Sequence, residues 1–420
     1  TDKTETSIKD TSAVVPQTNV GALDLGQAID SNTSKQKQNV KDDEKEKPKT
    51  LLDYFPGEDQ ELAAAAFEII TRLECKPHSD VLMGYNVTKK DLEKIQNVQC
   101  IKIGGKQHIN LAGIEHFSNL KTLQLIGCGR FYENGRINNG LIIPKLPDSL
   151  TELKCSNCGI KSFPSTLPKK LTTFYCDGCT FSKSDNKQIT TDFLHAKYGP
   201  YALPNSIEVL DFSSSNFEPS NLPKNLKTLR CSNCSLKSLP DLPKNLVYCD
   251  CSYNEIENLS KLPKGLTYLN CQSNKLKLLP ELVDSITELN CSENEITNLP
   301  DLPESLISFA CSCNNISEIS KLPKNLTEFS CNNNNLTKLP TLPRYLKLLN
   351  CYSNQLSSLP TLPDSLRKLN CSNTYITSFP NIPYNIREVY CYDCGFKSRP
   401  SDLPSGVSVV WQDNTKNIKN

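Results

Sequence analysis

The sequence predicts an α/β solenoid: a curved superhelix with a parallel sheet of short strands on its concave face, an extended, polyproline-like convex face and a helical N-terminal cap. Three observations carry this. Cys231, Cys251, Cys271, Cys291, Cys311, Cys331, Cys351, Cys371 and Cys391 recur every 20 residues. Around each stands one repeated unit, LPxxLxxLxCxxNxLxxLP, as in "LPKGLTYLNCQSNKLKLLP" from Leu262 to Pro280 and "LPRYLKLLNCYSNQLSSLP" from Leu342 to Pro360. The prolines of each unit lack an N–H and disfavour helical geometry in the residue before them, which excludes a helix from the outer limb. A fixed period of this kind marks a stacked array, so the 420 residues do not divide into the two or three globular domains their number would otherwise suggest.

The elements follow in chain order. Residues 1–50 hold no aromatic residue and no Cys and are rich in Thr, Ser, Asn, Gln, Lys and Asp. Such a segment buries too little apolar surface to offset its chain entropy, and is expected to be a disordered leader. Residues 51–98 are expected to cap the array. Leu62, Ala66, Phe67, Ile70 and Leu73 recur at helical spacing between Gly57 and Cys75. A second helix is expected in "VTKKDLEKIQNV", with Thr88 as N-cap and Leu92, Ile95 and Val98 on one side. Helices before a repeat array cover the open end of its core. The solenoid is expected over 99–411, and 412–420 form a tail.

In each unit the LxxLxC segment alternates apolar and variable positions, which reads as one short strand with Leu and Cys pointing inward. A single strand of this kind cannot bury its apolar face, whereas stacked copies share a continuous core. The residue three after Cys is Asn254, Asn274, Asn294, Asn314, Asn334 or Asn354. Its amide is expected to bond the turn and the next coil, forming an internal ladder. Looser copies place Ile103, Leu125, Cys155, Cys176, Phe212 and Trp411 in the Cys slot, for about fifteen coils in all. At about 4.8 Å per strand these make a sheet roughly 70 Å long. The steps from Leu125 to Cys155 and from Cys176 to Phe212 are 30 and 36 residues, so insertions at 129–144 and 182–202 are expected to loop out, the second with a short helix at 191–197.

Lys plus Arg number 47 against 46 Asp plus Glu, a balance with no overall field to recruit nucleic acid or an anionic membrane. The longest apolar run, "LAAAAFEII", is too short to span a bilayer. His78, His108, His116 and His195 lie outside the regular coils and have no Ser, Cys or carboxylate at a spacing that suggests a nucleophile and its base. They read as surface or turn residues. Gly104 and Gly105 belong to a turn and not to a phosphate loop. No catalytic residue, cofactor or metal is expected.

The twenty cysteines invite two other readings. "CSNC" at Cys155–Cys158 and "CDGC" at Cys176–Cys179 form C-x2-C-x17-C-x2-C, within zinc-site spacing. Read in register, Cys155, Cys176, Cys231 and Cys391 fill the inward slot. Cys128, Cys158, Cys179, Cys234 and Cys394 stand where other coils place Asn, as small hydrophobes with a weak donor. Disulfides along the ladder would be strained, because in-register Cβ atoms stay about 4.8 Å apart and a bridge prefers about 3.8 Å. Free buried thiols are therefore expected, which favours a reducing compartment. Cys313 alone in this region is placed on the face.

The concave face is the candidate site, and a protein is its expected partner. Tyr248, Tyr253 and Tyr268 cluster on neighbouring coils, followed by Glu288, Glu293 and Glu328. A second group joins Tyr352, Tyr390 and Tyr392 to Lys368. Aromatic anchors ringed by polar groups are the usual hot spots of protein interfaces, although a solvent-facing Tyr also simply suits a pleated surface.

The LPxxLxxLxCxxNxLxxLP unit resembles the bacterial leucine-rich repeats of the YopM/IpaH type over about residues 145–411. The preceding "VTKKDLEKIQNVQCIKIGGKQHINLAGIEHFSNLKTLQLIGC" is similar to the first coils of listerial internalins, with a 22-residue step from Ile103 to Leu125. The resemblance implies a secreted bacterial effector, delivered to the host cytoplasm, that binds host proteins. The alternatives are an internalin-type adhesin on the bacterial surface and the substrate-recognition part of a ubiquitin ligase. Only "QDNTKNIKN" follows Trp411, without the ligases' catalytic helical domain, so ligase activity is not expected. Relatives mostly carry Val or Ile where this chain stacks Cys.

Overall fold

Each regular repeat forms one three-residue strand, and the strands stack in chain order. The computed structural model describes residues 23–24, 49–56, 62–64, 66, 86–105, 109–129, 132–133, 136–137, 140–181, 203–397, 400 and 403–411. Its main sheet has sixteen strands, from Leu23–Asp24 to Ser408–Val410. All pair in parallel, and the 20-residue period is the register itself: Tyr248 lies opposite Tyr268, and Tyr268 opposite Glu288. The looser copies keep the same slot-to-slot pairing across steps of 22 and 30 residues, with Ile103 opposite Leu125 and Leu125 opposite Cys155.

Two inward columns build the core. Leu229, Cys249, Leu269, Leu289 and Phe309 fill one, while Cys231, Cys251, Cys271, Cys291 and Cys311 fill the other, and all are buried. The regular strands end at the residue before the Cys, as Tyr248–Asp250 before Cys251, and the second residue beyond the Cys turns left-handed. Tyr253, Ser273, Glu293, Cys313, Asn333 and Ser353 have φ of 54°, 52°, 56°, 53°, 51° and 52°. A side chain held there costs on the order of 1–2 kcal/mol. The next residue offsets that cost. Asn254 Nδ2 donates to Cys231 O (2.8 Å), Cys251 O (2.9 Å) and Ser252 O (3.1 Å), while its Oδ1 accepts from the Cys234 and Leu236 N–H groups, both at 3.0 Å. The side chain thus reaches back to the preceding coil and not on to the next one, as expected from sequence. An Asn aimed backward shares the preceding coil's Cys carbonyl with that coil's own Asn, as Asn274 Nδ2 and Asn254 Nδ2 both reach Cys251 O, at 3.0 and 2.9 Å.

Cysteine performs part of the same task. Cys234 Sγ donates to Phe212 O (3.1 Å) and Ser232 O (3.3 Å), and Cys158 Sγ donates to Leu125 O at 3.4 Å. Among the described residues the proline-rich limb carries no helix. It turns at Pro243, where the Leu246 N–H donates to Pro243 O (3.0 Å), and a second ladder links the coils, as Glu255 N–H to Leu236 O at 2.8 Å.

The N-terminal cap has short helices at Leu51–Tyr54 and Lys89–Gln96, and residues 62–64 and 66 of the expected amphipathic helix are helical, with Leu62, Ala63 and Ala66 buried. The rest of 57–75 lies outside the described residues. Thr88 and Asp91 form a capping box, Thr88 Oγ1 accepting from the Asp91 N–H (3.2 Å) and Asp91 Oδ2 from the Thr88 N–H (3.1 Å). The leader contributes Leu23–Asp24, which pairs with Ile101–Lys102. Its other residues before Lys49, the 182–202 insertion and the tail lie outside the described residues. Within 129–144, Tyr132–Glu133 and Arg136–Ile137 form an antiparallel hairpin, and Leu141–Ile142 joins a second, three-stranded parallel sheet with Gly159–Ser162 and Thr180–Phe181. His116 is a packing residue, edge-on to the Tyr54 and Phe55 rings at 5.0 and 5.7 Å. The other three histidines lie outside the described residues.

Candidate functional site

The outward residues of the strands form continuous columns, because parallel pairing in register puts every twentieth residue side by side. Tyr248 and Tyr268 share one. Their rings stack at 4.2 Å between centroids and 5° between planes. Arg230, on the strand before, lays its guanidinium 4.8 Å from the Tyr248 centroid. The result is a three-member stack, Arg230–Tyr248–Tyr268, along the sheet. Burial, with the neighbouring Tyr248 second, pushes the Tyr268 hydroxyl well above its ordinary value, so it is a neutral donor at physiological pH.

Beyond Tyr268 the same column continues with Glu288, Ser308 and Glu328, both carboxylates exposed. Tyr253 and Glu293 stand elsewhere. They are the left-handed residues of their turns, at the rim of the face, with Tyr253 54% exposed. Gln272 bridges them: its Nε2 donates to Glu293 Oε1 (2.7 Å) and to Tyr253 Oη (3.4 Å), and Ser273 Oγ also donates to Glu293. The first expected cluster is therefore a stack with a separate hydrogen-bonded rim.

The second expected group is looser. Tyr352 Oη accepts from Asn333 Nδ2 (2.9 Å), Tyr390 Oη lies 3.5 Å from Glu388 Oε2, and Lys368 pairs with Glu388 at 3.0 Å. Lys368 is thus an internal partner of its own sheet. Tyr392, in the turn that follows the strand ending at Tyr390, is half-buried.

Sequence reading passed over Arg230, Gln272 and Glu388. Arg230 was within reach of register arithmetic, since it lies 20 residues before Asp250 and diagonal to Tyr248. The Gln272 bridge depends on a side-chain conformation and leaves no such signal. A similar cation contact, Lys154 over Tyr175 at 5.3 Å, lies nearer the N-terminal end.

Every described cysteine is a free thiol, and all but Cys100, Cys313 and Cys394 are buried. Burial pushes Cys155 and Cys176 well above the ordinary thiol range and Cys234 up to about 11. Among the described residues no three His, Cys, Asp or Glu side chains are grouped to hold a metal ion. Cys158 and Cys179 direct their sulfurs at backbone carbonyls, Leu125 O and Cys155 O. Cys394 differs: its contact with Cys371, followed by Thr374, lowers it to about 7. Among the described residues no helix is long and apolar enough to cross a membrane.

This architecture is the leucine-rich-repeat superhelix, a fold that typically serves as a non-catalytic interaction scaffold. The Leucine Rich Repeat family model matches residues 225–246. Among solved structures, the leucine-rich effector protein YopM from Yersinia pestis is similar at 28% identity, over 73% of this chain and 88% of that one, with a TM-score of 0.56. The functional domain of InlJ from Listeria monocytogenes shares the fold at 19% identity, over 83% of this chain and 72% of that one, with a TM-score of 0.61; it includes a cysteine ladder. The internalin InlF from the same organism shares it at 18% identity, over 87% and 97%, with a TM-score of 0.54. No curated protein sequence matches the chain.

Proposed function

We propose that the chain is a secreted bacterial effector that binds a host protein along the concave face of its solenoid. The observation that carries this reading is the Arg230–Tyr248–Tyr268 stack, a rigid aromatic platform on an open sheet. Stacked aromatics beside polar groups are the usual anchors of protein interfaces. The likeness to YopM supports the effector assignment. Unbridged thiols throughout the core support action in a reducing compartment such as a host cytosol, and so favour delivery into the host over display on the bacterial surface.

The test is a photo-crosslinking residue introduced at Val247, which is exposed beside the stack, followed by capture from host lysate and mass spectrometry. A matching residue at Lys264, in the turn leading into the next strand, serves as control. One host protein crosslinked from Val247 alone, and lost on Tyr248→Ala with Tyr268→Ala, is the expected result. Equal crosslinking from both positions would place the interface elsewhere.

A further inference from the structure

The cation on Tyr248 raises a question about the other end of the stack. Arg230 occupies the first outer ring face, and Tyr268 presents the second toward Glu288, its in-register neighbour. Among the described residues no ion pair engages Glu288 or Glu328, whereas the Lys368–Glu388 pair is closed farther along the same column. The face between Tyr248 and Glu328 therefore holds three carboxylates, Asp250, Glu288 and Glu328, with Glu293 at its rim and Arg230 as the cation at its edge. The near-zero net charge of the chain conceals this segregation, because many lysines, such as Lys224, Lys244, Lys264 and Lys324, stand in the turns that follow Pro.

Resting on the concave-face reading above, we infer that this face takes an arginine-bearing extended segment of a partner protein, one guanidinium stacking on Tyr268 against Glu288 and a second pairing with Glu328. The protein already shows the first interaction at the opposite end of its own stack. Arginine fits better than lysine, since its planar group can lie on a ring and still present two N–H donors to a carboxylate. Spacing narrows the partner further. Glu288 and Glu328 are two strands apart, about 9.6 Å at 4.8 Å per strand. A polyproline II chain, with three residues per turn and about 3.1 Å per residue, returns to the same side every ~9.3 Å, so arginines three positions apart meet both carboxylates.

The probe is a fluorescein-labelled twelve-residue peptide of Arg-Pro-Pro repeats, with a Gln-Pro-Pro peptide beside it, titrated against the full chain by fluorescence anisotropy. The arginine peptide binds and the neutral one does not. Glu288→Gln with Glu328→Gln weakens binding about tenfold, and Tyr268→Ala about fivefold, as expected for partly exposed ion pairs and a cation–π contact. Glu304→Gln, outside the face, changes nothing, and far-ultraviolet circular dichroism confirms that each variant is folded. Equal binding of both peptides, no binding of either, or no effect of the glutamate changes would overturn the inference. A host protein still crosslinked from Val247 in the double glutamine variant, with unaltered affinity, would overturn this inference while leaving the concave-face reading intact.

Discussion

Removing one rung of the asparagine ladder tests the account of what holds the coils together. In Asn294→Ala the lost Nδ2 bonds run to Cys271 O (3.0 Å), Cys291 O (3.1 Å) and Ser292 O (3.1 Å), and the lost Oδ1 bond comes from the Leu276 N–H at 3.0 Å. The carbonyls keep other partners: Asn274 Nδ2, Asn314 Nδ2 and the Ser273 N–H. The buried Leu276 N–H is left with none of its own among these bonds. An orphaned buried donor costs about 1–3 kcal/mol and each lost bond adds a fraction of about 1 kcal/mol, so the variant should lose about 3 kcal/mol. Asn294→Cys should recover roughly half, because a thiol donates to a carbonyl as Cys234 does but does not reach the Leu276 N–H. Urea unfolding gives the loss, and native-state hydrogen exchange at the Leu276 amide locates it, which matters in a repeat array whose coils can open separately. A loss below about 1 kcal/mol together with unchanged exchange at Leu276 would refute the ladder argument.

Other consequences follow from the thiols and from one glycine. Cys234 is raised by burial from 9.0 to about 11, so its contribution is full below pH 9 and drains away as the pH climbs toward 11. Each such thiol lowers stability by about 1.4 kcal/mol per pH unit in that window. Urea midpoints should therefore decrease as the pH is raised from 9 to 11, and a flat profile would contradict the buried thiol column. In iodoacetamide labelling at pH 7.5, Cys313, which is exposed, and Cys394, lowered to about 7, should react first, with the buried thiols following only in denaturant. Mass spectrometry of the early adducts checks this, and uniform labelling would argue against it. Gly113 has a φ of 92°, and a Cβ there would collide with Tyr54 O and the Phe55 ring. Gly113→Ala should release the Leu51–Tyr54 helix from the first coils, seen as faster exchange at the Phe55 amide with the Tyr248–Asn350 strands unaffected.

The candidate site was legible only in part. The sequence grouped Tyr248 and Tyr268 with Glu288 and Glu328 on one face, and the parallel sheet, which converts a 20-residue period directly into adjacency, sets these four in one column. Tyr253 and Glu293 were assigned to the same face by their position after Cys, but the left-handed turn that closes each strand carries them to the rim. That turn is hidden in sequence, since no glycine marks it in the regular coils and the stabilising bonds come from the following Asn. Lys368 read as an accessory cation, while its carboxylate partner, Glu388, stands one strand away and engages it within the sheet.

The sequence by itself determined the period, the inward and outward faces of every strand, the absence of a helix from the proline-rich limb and the equivalence of Cys and Asn in the ladder slot. Each of these is a local rule repeated at a fixed interval, and stacking only multiplies it. The tertiary structure decided the rest: that Asn reaches back to the preceding coil, that two tyrosines stack beneath an arginine, and that within one column Glu388 meets lysine while Glu288 and Glu328 stay open. These depend on side-chain directions and on the coil next door, which a period specifies in position but not in conformation.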